Sequence, residues 1–226
     1  MTMAMGRFGF DFLIITKGLS AIKMAITDVV FGLDGVLVEW DGRRPITEQY
    51  PEGIADMMFD PCDEWGMEFY LAMLESGWSE ERVLASYEKH HGPAIAWVLK
   101  MYLDHEEDGF VGMMLGMAEL LSELDKAGVK LWGLDNTTTK HVRLAQSQFP
   151  ELSKLRDFRA SSVGRLRLPD PVFVRGAIRD FGIDPESALF VYKDARIVKS
   201  LSGMGLNAVV FKGADSLRKS LRSTCA

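Results

Sequence analysis

The sequence predicts an α/β fold, a doubly wound parallel sheet into which an all-α cap is inserted. Short apolar runs alternate with amphipathic helical segments through the second half of the 226-residue chain, and the connections between them are short. Such alternation is typical of parallel strands joined by right-handed helical crossovers. Residues 41–107, in contrast, show helical periodicity alone. An insertion after the first strand explains both patterns.

The first strand of the core is predicted from an apolar run at 29–31. This run leads to Asp34 and Gly35, and a second apolar run follows at 36–38. The first run indicates a buried parallel strand that ends in a tight turn carrying a carboxylate. Residues 1–24 precede the point where such a strand would begin, so we expect them to be an N-terminal extension.

The cap is predicted to span residues 41–107, which leaves 25–40 and 108–226 for the core. Within the cap, apolar side chains recur at spacings of three and four residues. That spacing indicates helices with one apolar face. Ser79, followed by two glutamates, is predicted to begin one of these helices.

After the cap, the sequence predicts helices and strands in alternation. Glycine is expected to end some of the helices, as at Gly182 after the fifth predicted element. In chain order, the predicted elements are a helix at 117–127, a strand at 129–134, a helix at 138–149, a short strand or strand end at 160–163, a helix at 171–181, a strand at 189–192, a helix at 197–204 and a strand at 208–211.

Composition excludes several classes of function. The net charge of −6 and the isoelectric point near 5.3 provide no basic surface for nucleic acid. No uninterrupted run of about 18 apolar residues occurs, so no membrane span is expected. The two cysteines, Cys62 and Cys225, are far apart in the sequence. That usage is typical of a reducing cytosol rather than of a disulfide scaffold, so we expect a cytoplasmic protein.

Four strand-to-helix turns of the predicted core carry polar residues in a recognisable order. They contain Phe-Gly-Leu-Asp-Gly at 31–35, Leu-Asp-Asn at 134–136, Leu-Pro-Asp-Pro at 168–171 and Tyr-Lys-Asp at 192–194. This order resembles the four motifs of the haloacid dehalogenase-like (HAD) hydrolase superfamily, and the resemblance extends from residue 28 to about residue 217. It implies a Rossmann-type core, a helical cap over the mouth of the active site, and magnesium-dependent chemistry through a phosphoaspartate.

At most positions to which the family assigns a role, this chain carries a different residue. The resemblance places Gly32 at the nucleophilic aspartate, Asp135 at the hydroxyl that binds the phosphoryl group, Leu168 at a charge-offsetting lysine, and Tyr192 and Lys193 at two magnesium-binding aspartates. Only Asp34, at the general acid/base position, and Asn136 match the family. Glycine has no side chain that could attack a substrate. Because catalytic groups of this kind work only together, the loss of several of them argues against the family's mechanism.

Some of the remaining polar residues also have structural interpretations. Asp34 is a candidate general acid/base or a residue that caps its own turn. Asp135 and Asn136 are either what is left of the phosphoryl site or an N-cap pair for the helix that begins near residue 138. Asp194 would join Asp34 at a metal only if the register of the last motif slipped by one residue. We therefore predict no metal site and no cofactor, and magnesium enters only under the alternative interpretation.

The charges lead to a more specific hypothesis for Lys193. A lysine cannot bind a hard cation, which requires oxygen ligands. We expect the Lys193 ammonium instead to take the electrostatic place of magnesium and to pair with Asp34 and Asp135. Arg165 and Arg167 are interpreted as surface residues.

The leading hypothesis for function is a pseudoenzyme, a HAD-like hydrolase scaffold that serves the binding of a small molecule or a protein. The alternative is a divergent hydrolase, phosphatase- or dehalogenase-like, in which Asp34 acts as a general base toward water. A third hypothesis is that the cap and the methionine-rich faces form a homodimer or partner interface. The irregularly spaced His90, His91 and His105 are interpreted as packed or solvated residues rather than metal ligands.

Overall fold

The structure of the protein is a computed structural model that describes residues 26–224. The expected N-terminal extension at 1–24 and Cys225 therefore lie outside the described residues. Within the described part, every helix is too short or too polar to cross a membrane.

The described residues form a five-stranded parallel sheet and a separate two-stranded ribbon. The strands are β1 Asp28–Phe31, β2 Val38–Trp40, β3 Phe110–Met113, β4 Lys130–Asp135, β5 Leu155–Ala160, β6 Ala188–Tyr192 and β7 Ala208–Val210. The order in the sheet is β5-β4-β1-β6-β7, and β2 pairs with β3 in the antiparallel direction. β1 lies in the middle, where Val29 pairs with Leu131 on one side and with Leu189 on the other.

Helices cover both faces of this sheet. They are α1 Arg44–Thr47, α2 Glu52–Met58, α3 Met67–Glu75, α4 Glu80–His91, α5 Pro93–Asp104, α6 Met117–Lys126, α7 Thr139–Gln148, α8 Ser161–Gly164, α9 Pro171–Phe181, α10 Ala195–Gly203 and α11 Ala214–Thr224. Apolar residues of α6, α7 and α11 pack on one face, and those of α9 and α10 on the other. Since both faces of β1 are out of water, its apolar residues are continuous rather than alternating. The predicted α/β class with a doubly wound parallel sheet is confirmed.

Helices α1 to α5 form the cap, which is inserted between β2 and β3. The cap encloses an apolar core of its own, in which Met58, Tyr70 and Tyr87 are buried. Ser79 begins α4 as predicted, because its side chain accepts a hydrogen bond from Arg82 N at 3.3 Å. The ribbon of β2 and β3 joins this helical unit to the sheet.

Some predicted elements differ from those observed. Of the two predictions for 160–163, a short strand or a strand end, the strand end is the one observed, because β5 ends at Ala160 and α8 begins at Ser161. β5 is an edge strand with a mixture of buried and exposed residues, so it lacks the apolar run that marks the central strands. β3 and α11 have no counterpart among the predicted elements.

Candidate functional site

The loops that follow β1, β4 and β6 converge at the carboxyl edge of the sheet. Neighbouring parallel strands end at the same edge, so their loops bring together residues that are distant in the sequence. Gly32, Asp34, Asp135, Tyr192 and Lys193 line one cavity of about 480 Å³ at this edge. Five of the residues singled out from the sequence therefore meet in one place.

Gly32 faces the ring of Tyr192. A Cβ atom placed on Gly32 would lie 3.0 Å from Tyr192 Cδ1 and 3.2 Å from Asp135 Oδ2, closer than ordinary van der Waals contact. The ring is fixed, because Tyr192 is 2% exposed and its hydroxyl donates to Leu134 O at 2.7 Å. Burial raises the pKa of this phenol well above its ordinary value, so the ring stays neutral. The first carbon of a side chain at position 32 would therefore be in tight contact with Tyr192 and Asp135.

Asp135 joins the first two loops. Its Oδ2 accepts a hydrogen bond from Leu33 N at 2.6 Å, and its Oδ1 accepts one from Asn136 N at 2.8 Å. Burial raises the pKa of Asp135 to about 7, against the effect of these two backbone donors. The N-cap of α7 is Thr138, whose hydroxyl accepts from His141 N at 3.0 Å. The N-cap interpretation of Asp135 is therefore wrong.

Asn136 joins the second loop to the third. Its Nδ2 donates to Leu168 O at 3.1 Å, and its Oδ1 accepts from Leu168 N at 2.6 Å. Both polar atoms of this amide are therefore used to hold backbone, and Asn136 does not cap α7 either. Leu168 is buried in the apolar layer beside Phe173. No cation enters the cavity from the position that the resemblance assigns to a lysine.

Asp194 serves its own helix. Its side chain accepts a hydrogen bond from Arg196 N at 2.7 Å, which makes it the N-cap of α10. The same carboxylate pairs with the Arg196 guanidinium at 2.8 Å. Asp194 lines the edge of the cavity, but its oxygens are engaged by these donors.

Lys193 does not replace magnesium in the way expected. Its side chain lies over the backbone of Gly35, where an added Cβ would come within 2.5 Å of Lys193 Cδ. Among residues 26–224, Lys193 forms no ion pair with Asp34 or Asp135. The hypothesis that its ammonium closes the site by pairing with both acids is wrong. Asp34 has a different cationic partner.

The residues around this cavity do not fit magnesium. Mg²⁺ requires several oxygen ligands in near-octahedral geometry. The positions that the family gives to its ligands carry a hydrogen atom at Gly32, a neutral ring at Tyr192 and an ammonium at Lys193. Over the described ranges, no cluster of three or more His, Cys, Asp or Glu residues is arranged to hold a metal ion.

His141 is the partner of Asp34, and it was not among the predicted site residues. It lies in the first turn of α7, is 5% exposed, and places Nε2 3.1 Å from Asp34 Oδ1. Its Nδ1 lies 2.7 Å from Glu106 Oε1. Burial opposes the charge of the ring, but the hydrogen bonds to the two carboxylates outweigh it and raise the pKa of His141 to about 10. Asp34 is thus bound to an imidazolium at neutral pH, and its interpretation as a cap of its own turn is wrong.

Further ion pairs connect the core to the cap. Lys140 of α7 pairs with Glu80 of the cap at 2.9 Å. Arg167, in the third loop, pairs with Glu75 of the cap at 2.5 Å, so its interpretation as a surface residue is wrong. Arg165 is exposed, as predicted. These pairs hold α3 and α4 against the loops of the sheet.

A second cavity, of about 440 Å³, lies between the cap and the core. Proteins enclose small organic molecules in cavities of this size. Its polar lining includes Asp34, Glu75, Glu80, Glu106, Lys140 and His141, and its aromatic lining includes Trp40, Trp78 and Tyr102. Asp34 lines both cavities and marks the point at which they meet. We call the second one the cap cavity.

The chain is similar to known proteins both in sequence and in structure. No family model matches the sequence. The chain is 24% identical over 215 residues to Protein CbbY from Cereibacter sphaeroides. The aligned region covers 85% of this chain and 91% of that protein. Its structure is similar to that of a predicted HAD-like family hydrolase from Porphyromonas gingivalis, with a TM-score of 0.69 and 22% identity over 87% of this chain and 98% of that one.

A further similar structure is a complex of HAD family enzyme bt-2542 from Bacteroides thetaiotaomicron with magnesium and inorganic phosphate. The TM-score is 0.66 and the identity 19%, over 84% of this chain and 96% of that one. The fold expected from the resemblance is confirmed, because this chain has the same fold as these HAD-like neighbours.

Proposed function

We propose that this protein is a HAD-like hydrolase scaffold that has lost phosphoaspartyl chemistry and binds a small molecule in the cap cavity. The observation that carries the proposal is the contact between Gly32 and Tyr192. The nucleophilic side chain is absent, and the Tyr192 ring lies 3.0 Å from the point where its first carbon would be. Position 32 thus lacks the attacking oxygen, and any side chain placed there would press on Tyr192 and Asp135.

The state of Asp34 supports the same proposal. A general base must be free to accept a proton from water or substrate. Oδ1 of Asp34 is engaged by His141, an imidazolium whose pKa is about 10, so only Oδ2 is left to accept a proton. The histidine cannot serve as a base either, because it already carries its second proton at neutral pH. The pair is suited to fixing structure rather than to moving protons.

A divergent hydrolase that acts through Asp34 is the second candidate. It is favoured by one observation, the 38% exposure of the Asp34 side chain at the meeting point of the two cavities. Enzyme bt-2542 binds magnesium and inorganic phosphate. Equivalent binding here would require oxygen ligands that Gly32, Tyr192 and Lys193 do not provide.

Three further properties are predictions from the sequence. We propose that the protein is cytoplasmic, on the strength of its two distant cysteines, of which Cys62 is free and exposed. We propose the boundaries 41–107 for the cap. The remaining prediction is that two copies associate through the cap. We favour binding of a small molecule over this association, because the cap cavity is already formed within one chain.

The proposal is tested by turnover of p-nitrophenyl phosphate with magnesium. We expect no magnesium-dependent release of p-nitrophenol by the purified chain, and no change with Asp34→Asn. Asp125→Asn, at an exposed position of α6, is the matched control for the substitution itself. Magnesium-dependent turnover that disappears with Asp34→Asn and persists with Asp125→Asn would establish the second candidate in place of the first.

A further inference from the structure

We infer that the cap cavity binds a small organic cation, a protonated amine on an apolar body, and not a phosphate ester or other anion. This inference rests on the proposed function, in which the cavity binds a ligand without turning it over. It adds the chemical class of that ligand. Three features of the cavity point to this class: an unused hydroxyl, an excess of negative charge and an aromatic lining.

The first feature is the unused hydroxyl of Tyr102. Tyr102 is 3% exposed and lines the cap cavity, yet its hydroxyl has no hydrogen-bond partner among residues 26–224. Every fully buried side-chain nitrogen or oxygen in that range has a hydrogen-bond partner. Since the Tyr102 oxygen has none, it cannot be fully buried and must contact open space. Buried polar groups are nearly always paired in native structures. A ligand in the cavity would supply the missing partner.

The surroundings of this hydroxyl are acidic. Burial raises the pKa of Tyr102 well above its ordinary value, and the charges of Glu106, Asp34 and Glu75 raise it further. The hydroxyl is therefore neutral, and it lies within the field of three carboxylates. A ligand group that donates hydrogen bonds and carries positive charge satisfies both the oxygen of Tyr102 and the field around it.

The second feature is the excess of negative charge around the cavity. Four carboxylates line the cavity, Asp34, Glu75, Glu80 and Glu106. The cations paired with them are Lys140, His141 and Arg167, which leaves one negative charge in excess.

Asp34 and Glu75 each have one carboxylate oxygen without a hydrogen-bond partner among the described residues. In Asp34 only Oδ1 is engaged, and in Glu75 only Oε2 is engaged. Burial raises the pKa of Glu75, and the Asp34 charge raises it further, so the two acids repel each other across the cavity. An ammonium between them would remove this repulsion, whereas a phosphate would add to it.

The third feature is the aromatic lining of the cavity. Trp40, Trp78 and Tyr102 line the same cavity. One face of Trp78 is covered by the Arg82 guanidinium, which lies 3.6 Å from the ring centre. Ring faces attract cations as well as apolar groups. An apolar body that carries one ammonium therefore matches the lining, and the volume of about 440 Å³ admits a molecule of the size of a substituted benzene.

The test uses three ligands of nearly equal shape and different charge: benzylamine, benzyl alcohol and benzyl phosphate. Isothermal titration calorimetry at neutral pH on the full chain is expected to show binding of benzylamine. Benzyl alcohol should bind about tenfold more weakly, and benzyl phosphate not at all. Binding of benzyl phosphate as tight as that of benzylamine, or no binding of benzylamine at millimolar concentrations, overturns the inference.

Variants locate the binding group. Tyr102→Phe and Glu75→Gln should each weaken benzylamine binding about fivefold to tenfold. Their matched controls are Tyr50→Phe and Glu88→Gln, which lie in the cap outside the cavity lining and should leave the affinity unchanged. Circular dichroism of each variant verifies that the fold is retained. Equal effects of the cavity variants and their controls would contradict the assignment.

The same samples separate this inference from the proposed function. Release of phosphate from benzyl phosphate in the presence of magnesium would overturn the proposed function, whatever the calorimetry shows. Failure of benzylamine to bind, without any release of phosphate, would overturn only the class of ligand.

Discussion

Replacement of His141 by leucine is expected to lower the free energy of unfolding by about 3–5 kcal/mol. The imidazolium is hydrogen-bonded to Asp34 and to Glu106, and Glu106 is only 8% exposed. Leucine keeps apolar contact with Trp40 and Phe110, which pack on the ring, but leaves the buried Glu106 carboxylate with Lys140 alone, at 3.6 Å. Urea denaturation of the wild type and the variant measures the difference.

Two further variants make this result specific. His105→Leu removes an imidazole that is 38% exposed and 3.6 Å from Asp108, so it should cost less than about 1 kcal/mol. Adding Glu106→Gln to His141→Leu removes the buried charge that has lost its hydrogen-bonded partner, and it should recover about 1 kcal/mol. An equal loss for His105→Leu and His141→Leu, or no recovery in the double variant, would show that the ion pair is not what holds this region.

The pH dependence of stability follows from the same residue. The pKa of His141 rises from its ordinary value of 6.5 to about 10 on folding. Below pH 6.5 the ring is charged in both the folded and the unfolded chain, so its contribution to stability is complete. As the pH rises from there toward 10, the wild type should lose up to about 1.4 kcal/mol per pH unit that His141→Leu does not lose. Parallel curves for the two proteins would contradict the raised pKa.

Restoring the missing aspartate by Gly32→Asp alone is expected to destabilise the protein by about 1–3 kcal/mol and to produce no phosphoryl transfer. The new Cβ would lie 3.0 Å from the Tyr192 ring and 3.2 Å from Asp135 Oδ2, so the side chain would press on the ring and add a second carboxylate beside Asp135. Chemical denaturation measures the first effect, and the p-nitrophenyl phosphate assay measures the second.

Gly53→Asp is the matched control for Gly32→Asp. Gly53 is exposed in α2, and a Cβ placed on it meets nothing within 4 Å. This substitution should change the free energy of unfolding by less than about 0.5 kcal/mol. In a Tyr192→Ala background, Gly32→Asp should cost at least about 1 kcal/mol less than it does alone, because the colliding ring is gone. Full stability of the Gly32→Asp single variant would show that position 32 is open.

Much of the core could be predicted because its strands are buried on both faces. β1, β4 and β6 are runs of apolar residues that end at polar turns, and such runs are visible in a single sequence. β5 was missed because an edge strand mixes buried and exposed residues. The four loops converge as a consequence of the parallel sheet, so the order of the motifs was enough to predict that Gly32, Asp135 and Tyr192 would meet.

The electrostatic arrangement of the site could not be predicted in the same way. His141 is a single histidine in a helix, and nothing near it in the sequence indicates that Asp34 and Glu106 face its two nitrogens. Lys193 was expected to face the acids, but the direction of a long side chain after a strand end is set by tertiary packing over Gly35. The position of α7, which starts directly after the second loop, is the one signal that could have drawn attention to His141.

The central claim is that no phosphoaspartate forms in this chain, and the mass of the intact protein tests it most directly. The protein is mixed with magnesium and acetyl phosphate, a reactive phosphoryl donor, and quenched in acid within seconds. An unshifted mass for the wild type and for Asp34→Asn is the predicted result. A gain of one phosphoryl group that maps to the peptide containing Asp34, and that is lost in Asp34→Asn, would contradict the account.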